Sequence, residues 1–165
     1  MQETMRIRIE EKWPFFNLYH EREYIQSHNT KKIVALKEKG ESREYYLYNL
    51  SELEIVVYKI DGGIINSDKV VKCDYGIYTE QNILYLIELK GSDYLHALEQ
   101  ILSTIDVLLK KPNISVKQLN ARIVLSKNRI PNLLVSKEKK LSRLLKQEYG
   151  NGSLLKQTRK LEEKI

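Results

Sequence analysis

A chain of 165 residues with 42% hydrophobic and 30% charged side chains has the composition of one folded domain, too apolar for disorder and long enough to bury about two-thirds of the surface its unfolded form exposes. No run approaches the roughly 18 apolar residues that span a bilayer, and the N-terminal MQETMRIRIEEK lacks the apolar core of a secretory leader, so a cytoplasmic protein without a membrane partner is expected. The net charge of +6 is unevenly laid out: Met1 to Leu109 hold 13 Lys and Arg against 18 Asp and Glu, whereas Lys110 to Ile165 hold 15 against 4. That asymmetry suits a polyanionic partner, nucleic acid, gripped by the second part; the plainer alternative is a lysine-rich solvated helix surface.

In chain order, Met5 to Glu11 (MRIRIEE) alternates apolar and charged residues as an edge strand does, and Trp13-Pro14-Phe15-Phe16 interrupts it, Pro14 excluding a central strand. His20 to Tyr24 carries a weak helix signal. Lys32–Lys37 and Arg43–Leu50, joined across Gly40, predict a β-hairpin. It reads as an N-terminal addition covering a sheet edge, making a homodimer contact or touching substrate. The clustered Tyr45, Tyr46 and Tyr48 read either as base-stacking platforms or as rings packed on a half-buried strand. Leu53–Ile60 is the next strand; Asp61 then opens a turn completed by Gly62 and Gly63, or serves as an acidic ligand.

The segment Lys72–Gly91, KCDYGIYTEQNILYLIELKG, concentrates the chemistry. Cys73–Tyr78 and Ile83–Lys90 should pair as an antiparallel hairpin around Thr79–Asn82. Ile83 to Leu89 is apolar on both faces until Glu88 and Lys90, which share one face. A four-residue loop sets Asp74 opposite Ile87; a slip of one residue sets it opposite Glu88, where strands about 4.8 Å apart bring two carboxylates to one point. Such a pair repels itself unless a cation intervenes, and Mg²⁺ suits one or two carboxylates plus water. Lys90, on the same face, lies where it can orient a water or neutralise phosphate charge. The bland alternative is a strand emerging into solvent and a turn aspartate. The lone Cys73 reads as a small buried residue, and no Cys/His group has zinc-ligand spacing.

Gly91 and Ser92 should stop the strand, Ser92 offering an N-cap with Asp93 in the first turn of a helix running to Lys110 and ended by Pro112. Its apolar face is Tyr94, Leu98, Ile101, Ile105 and Leu108. His96 and Gln100 lie on another strip, His96 as a conceivable base or a half-exposed helix residue. Leu119–Ser126 predicts a strand parallel to Ile83–Lys90. Arg122, Lys127 and Arg129 around it are candidate phosphate contacts, as are Lys137, Lys140 and Arg143 on a basic amphipathic helix, Ser136–Glu148, that follows Pro131. Ser153–Ile165 closes the chain as a strand or helix.

Asp74, then Glu88-Leu89-Lys90 on a hairpin followed by a helix, resembles the active site of the PD-(D/E)XK, or restriction-endonuclease-like, nucleases. The likeness spans about Ile55 to Lys127, with Cys73 where the motif's name has Pro. It implies a restriction-endonuclease-like α/β fold, a mixed central sheet flanked by helices, in a single domain: residues 1–50 a β-rich addition, 51–130 the catalytic core and 131–165 basic C-terminal elements. It further implies a nuclease that hydrolyses DNA phosphodiesters, in restriction, phage defence or repair. Asp74, Glu88 and the Leu89 carbonyl would hold Mg²⁺, with Mn²⁺ able to substitute, and Lys90 would position the attacking water. Some branches place Gln in the following helix with Tyr four residues later; here Thr104 stands in the Tyr position, and Gln100 reads either as a catalytic residue facing the metal water or a phosphate or as a plain solvent-exposed Gln. A non-catalytic nucleic-acid-binding or interaction module on the same scaffold is the alternative.

Overall fold

The computed structural model describes residues 13–89, 93–127 and 135–165. In chain order the elements are α1 (Pro14–Leu18), a single 3-10 turn (Arg22–Tyr24), β1 (Ile25–Asn29), β2 (Ile33–Lys37), β3 (Glu44–Tyr48), β4 (Ile55–Lys59), β5 (Tyr75–Thr79) and β6 (Ile83–Leu89). They continue with α2 (Tyr94–Ile105, carried on by a π-helical turn Asp106–Lys110), β7 (Gln118–Leu125), α3 (Val135–Glu148), β8 (Leu154–Thr158) and β9 (Lys160–Lys164). The strand expected over Met5–Glu11, the Gly91–Ser92 stop and the Pro131 break lie outside the described residues.

The architecture is mixed α/β. A six-stranded sheet in the order β1-β4-β5-β6-β7-β8 is antiparallel from β1 to β6 and parallel from β6 to β8, and a second sheet has the order β2-β3-β9. β6 and β7 can sit at its centre because their residues are apolar on both faces, which leaves no polar side needing water. On one face Val56, Tyr58, Tyr78, Leu84, Leu86, Leu119, Ala121 and Ile123 meet Phe15 of α1, Leu98, Ile101 and Ile105 of α2, and Leu141 and Leu145 of α3. On the other face Val57, Ile77, Tyr85, Ile87, Leu89 and Val124 meet Val34, Leu36, Tyr45, Leu47 and Leu161 of the small sheet. The predicted hairpin β2–β3 thus covers a face of the main sheet, not an edge, and Gly40 at its turn has φ +78°. Among the described residues no helix is long and apolar enough to cross a membrane.

Three elements depart from sequence expectation. Pro14 is at the first position of a short helix, where its missing N–H is no loss, and that helix inserts Phe15 between Tyr19, Tyr58 and Tyr78. β1, IQSHN, has a half-exposed alternating pattern with Ile25 as its one strong β-former; it forms because β4 offers it an edge. The C-terminal stretch is two strands, β8 beside β7 and β9 beside β3. The chain changes sheets at Arg159, whose φ is +68°. Gly150, at φ +65°, ends α3 so close to β7 that a Cβ there would lie 1.8 Å from the Lys117 carbonyl.

Candidate active site

The hairpin loop decides the geometry. Asn82 takes the left-handed conformation (φ 59°) and donates its N–H to the Thr79 carbonyl at 3.0 Å, the form of a three-residue loop in which one residue must adopt αL. Asn tolerates that region better than a bulky residue, and its Oδ1 also accepts the Tyr78 hydroxyl at 2.6 Å. The loop is therefore Glu80–Asn82, one residue shorter than the sequence suggested. Tyr78 pairs with Leu84 and Tyr75 with Ile87, so by the same register Asp74 faces Glu88 and not Ile87.

The two carboxylates are tied to each other's backbone. The Asp74 N–H donates to Glu88 Oε2 at 3.0 Å, and the Leu89 N–H donates to Asp74 Oδ2 at 2.9 Å. Glu88 is 2% exposed, while Asp74 is half-buried. By strand alternation both are in phase with Tyr78, Leu84 and Leu86 of the helix-covered face. Among the described residues no trio of His, Cys, Asp and Glu converges, so the acidic centre is this pair. Burial, and next the Glu88 carboxylate, push the Cys73 thiol well above its usual range, which makes it a neutral packing group and not a nucleophile.

α2 holds the strand that presents Asp74. The Asp93 carboxylate accepts the His96 N–H at 2.9 Å, so Asp93 itself is the N-cap. Two turns on, the Gln100 amide donates to the Lys72 carbonyl at 2.9 Å, and the Thr104 hydroxyl accepts the Cys73 N–H at 2.9 Å while donating to the Gln100 carbonyl. Gln100 and Thr104 thus clamp the two residues before Asp74, one each; the Gln100 Oε1 is buried and has no hydrogen-bond partner among the described residues. Thr104 had no functional assignment from sequence, although a Thr in the inward stripe between Ile101 and Ile105 has a hydroxyl that must find a partner. Thr104→Val keeps the shape and strands the Cys73 N–H, and should lower stability by about 1–3 kcal/mol, seen as a fall in melting temperature and faster exchange of the Cys73 amide. An unchanged melting temperature would mean the clamp carries no load.

The remaining candidates separate. Lys90 and Arg129 lie outside the described residues. Arg122 is not a phosphate contact: it is 4% exposed, its guanidinium grips Glu163 through Nε (2.6 Å) and Nη2 (3.0 Å), and Nη1 reaches the Ser153 carbonyl at 2.8 Å. A charge in the middle of a strand buried on both faces has to be paired inside. Lys127 is exposed just beyond β7, at the sheet end where β6 also finishes. Lys137 pairs with Glu99; Lys140 and Arg143 are exposed on α3. His96 is 39% exposed and lies 3.6 Å from Glu99. Asp61 opens its turn, lies 3.7 Å from Lys72, and donates its N–H to the Asp74 carbonyl at 3.4 Å. Of the tyrosine trio, Tyr45 is buried and hydrogen-bonded to Glu163, while Tyr46 and Tyr48 point outward with their hydroxyls on Glu44 and Glu162.

Asp74 and Glu88, with the Leu89 carbonyl, would offer a cation only oxygen donors, a chemistry that suits Mg²⁺ or Mn²⁺ and not a thiolate-seeking metal. A scan against protein-family models, a search of curated proteins and a search of solved structures each found no match to this chain.

Proposed function

We propose that the protein is a metal-dependent nuclease of PD-(D/E)XK type on a restriction-endonuclease-like fold. The observation that carries this is the hairpin register that sets Asp74 across from Glu88 at the end of β6. The order β4-β5-β6, helix α2, then β7 parallel to β6 supports it as well.

Asp74, Glu88 and the Leu89 carbonyl would hold the cation; when bound, it supplies positive charge to a phosphate oxygen and acidity to a water. The chain's own part is preorganisation. Reciprocal backbone hydrogen bonds fix both carboxylates before substrate arrives, and Gln100 and Thr104 keep the Asp74 strand from sliding along α2. Lys90, two residues beyond Glu88, is the proposed group that orients the water and meets the charge building on the phosphate. Hydrolysis joins the water oxygen to phosphorus and breaks the bond to the leaving oxygen, which takes up the proton. Lys127, beyond β7, is the proposed neighbouring phosphate contact, and DNA is the proposed substrate.

The test is incubation with Mn²⁺ against single-stranded, duplex, branched and RNA substrates, with Lys90→Ala as control. Cleavage that needs the metal and disappears in the variant is expected; equal cleavage by both proteins defeats the assignment. A second reading, a non-catalytic module, is favoured by one observation: each carboxylate accepts a backbone N–H and Glu88 is almost fully buried, as in a purely structural clasp. Calorimetric titration with Mn²⁺ separates the two, since a clasp alone takes up no metal.

A further inference from the structure

Three cations on or beside the helices are paired: Lys137 with Glu99, Lys156 with Glu138 at 2.6 Å, and Lys111 with Asp106 at 3.7 Å. Others are not. Among the described residues Lys110, Lys139, Lys140 and Arg143 have no ion pair, all four are exposed, and all four line one groove of about 850 Å³ between α2 and α3. Leu102 and Leu144 contribute apolar surface, and Asp106 and Glu148 are the acidic members, leaving the cations in excess. Arrays of unpaired cations repel one another, so keeping four along a single cleft favours a ligand that brings regularly spaced negative charge.

The groove has a direction. α3 starts beside the beginning of α2, where the Tyr94 hydroxyl meets Glu138 at 2.9 Å and Lys137 meets Glu99, and α2 begins five residues after Leu89. Gln100 and Thr104 face the Asp74 strand, whereas Leu102, Ser103, Asp106 and Lys110 line the groove, so one helix separates the acidic pair from the basic track. Its far end is the π-helical turn Asp106–Lys110, in which the Lys111 N–H reaches back five residues to the Asp106 carbonyl; such turns often accompany functional sites. The groove, of about 850 Å³ between the two helices, has room for one sugar–phosphate chain. A duplex holds its two backbones about 12 Å apart across the major groove.

We propose that the α2/α3 groove binds the phosphodiester backbone of single-stranded nucleic acid. This deepens the nuclease reading by naming its substrate class and rests on that reading for its role, while the binding itself is tested apart from cleavage. A fluorescein-labelled single-stranded oligodeoxynucleotide and the duplex of the same sequence are titrated with protein in EDTA over a range of KCl concentrations. The wild type should bind the single strand more tightly. The triple variant Lys139→Glu/Lys140→Glu/Arg143→Glu should bind it at least about tenfold more weakly, with a salt slope shallower by about 2, and Asp74→Asn should keep the wild-type slope. A wild-type slope in the triple variant, equal binding of duplex, or no binding by the wild type overturns the groove assignment, whatever the Mn²⁺ assays show. Groove-dependent binding without any Mn²⁺-dependent cleavage upholds the groove and removes the nuclease. Melting curves of the triple variant exclude unfolding as the cause, since all three residues are exposed.

Discussion

Asp74→Asn should lower metal-dependent cleavage by about 10²–10³-fold and leave the melting temperature close to that of the wild type, while Asp74→Ala should lose the same activity and about 1–3 kcal/mol of stability. The difference comes from the two roles of one side chain. Asp74 Oδ2 accepts the Leu89 N–H, and an asparagine still offers a carbonyl oxygen there, so the clasp survives. What the amide removes is charge, and with it the affinity for a hard cation. Glu88→Gln should behave in the same way, because Glu88 Oε2 accepts the Asp74 N–H. Initial rates in Mn²⁺ and thermal melts of the same samples read both effects. Wild-type cleavage by Asp74→Asn would strip the pair of any catalytic role and leave the clasp as its whole purpose.

How far this centre could be read in advance shows where local rules stop. Strand alternation placed Glu88 and Lys90 on one face, and composition marked Thr79–Asn82 as a turn; neither decided the register. That choice rested on the conformation of Asn82, a residue able to sit at φ 59°, and a single step there separates facing carboxylates from a lone aspartate beside Ile87. The α2 helix was legible from its periodicity, even to its end at Lys110, but not the Thr104 bond to Cys73, because pairing a helix hydroxyl with a strand amide 31 residues earlier needs the packed structure. β1, β8 and β9 are short and polar; β1 and β9 are held by partners distant in sequence, and β8 by the outer edge of β7. Propensity has little to say about such strands, since their stability belongs to the pairing.

Arg122 is where the missing C-terminal strands misled most, and it supplies the second large effect. Within Leu119–Ser126 it looked like a free cation beside a basic region; its partner, Glu163, lies on a strand that only the assembled sheets create. Arg122 and Glu163 side chains are 5% and 15% exposed, and their ion pair ties the large sheet to the small one, within which Glu163 also accepts the Tyr45 hydroxyl at 2.8 Å. Burial first, and Glu163 second, hold the Tyr45 hydroxyl protonated far above its usual range. Glu163→Ala would leave a guanidinium buried without its counter-charge and Tyr45 without its acceptor, and should cost about 3–5 kcal/mol, a drop in melting temperature of roughly 6–20 °C. Glu163→Gln keeps an acceptor oxygen and should fall less. Arg122→Met should lower the melting temperature while leaving the salt slope of nucleic-acid binding unchanged, because its head group lies under the small sheet, against Tyr85, away from the helix face that carries Asp74 and Glu88. A slope shallower by about one with no loss of stability would return Arg122 to the phosphate-binding surface and break the link between the two sheets.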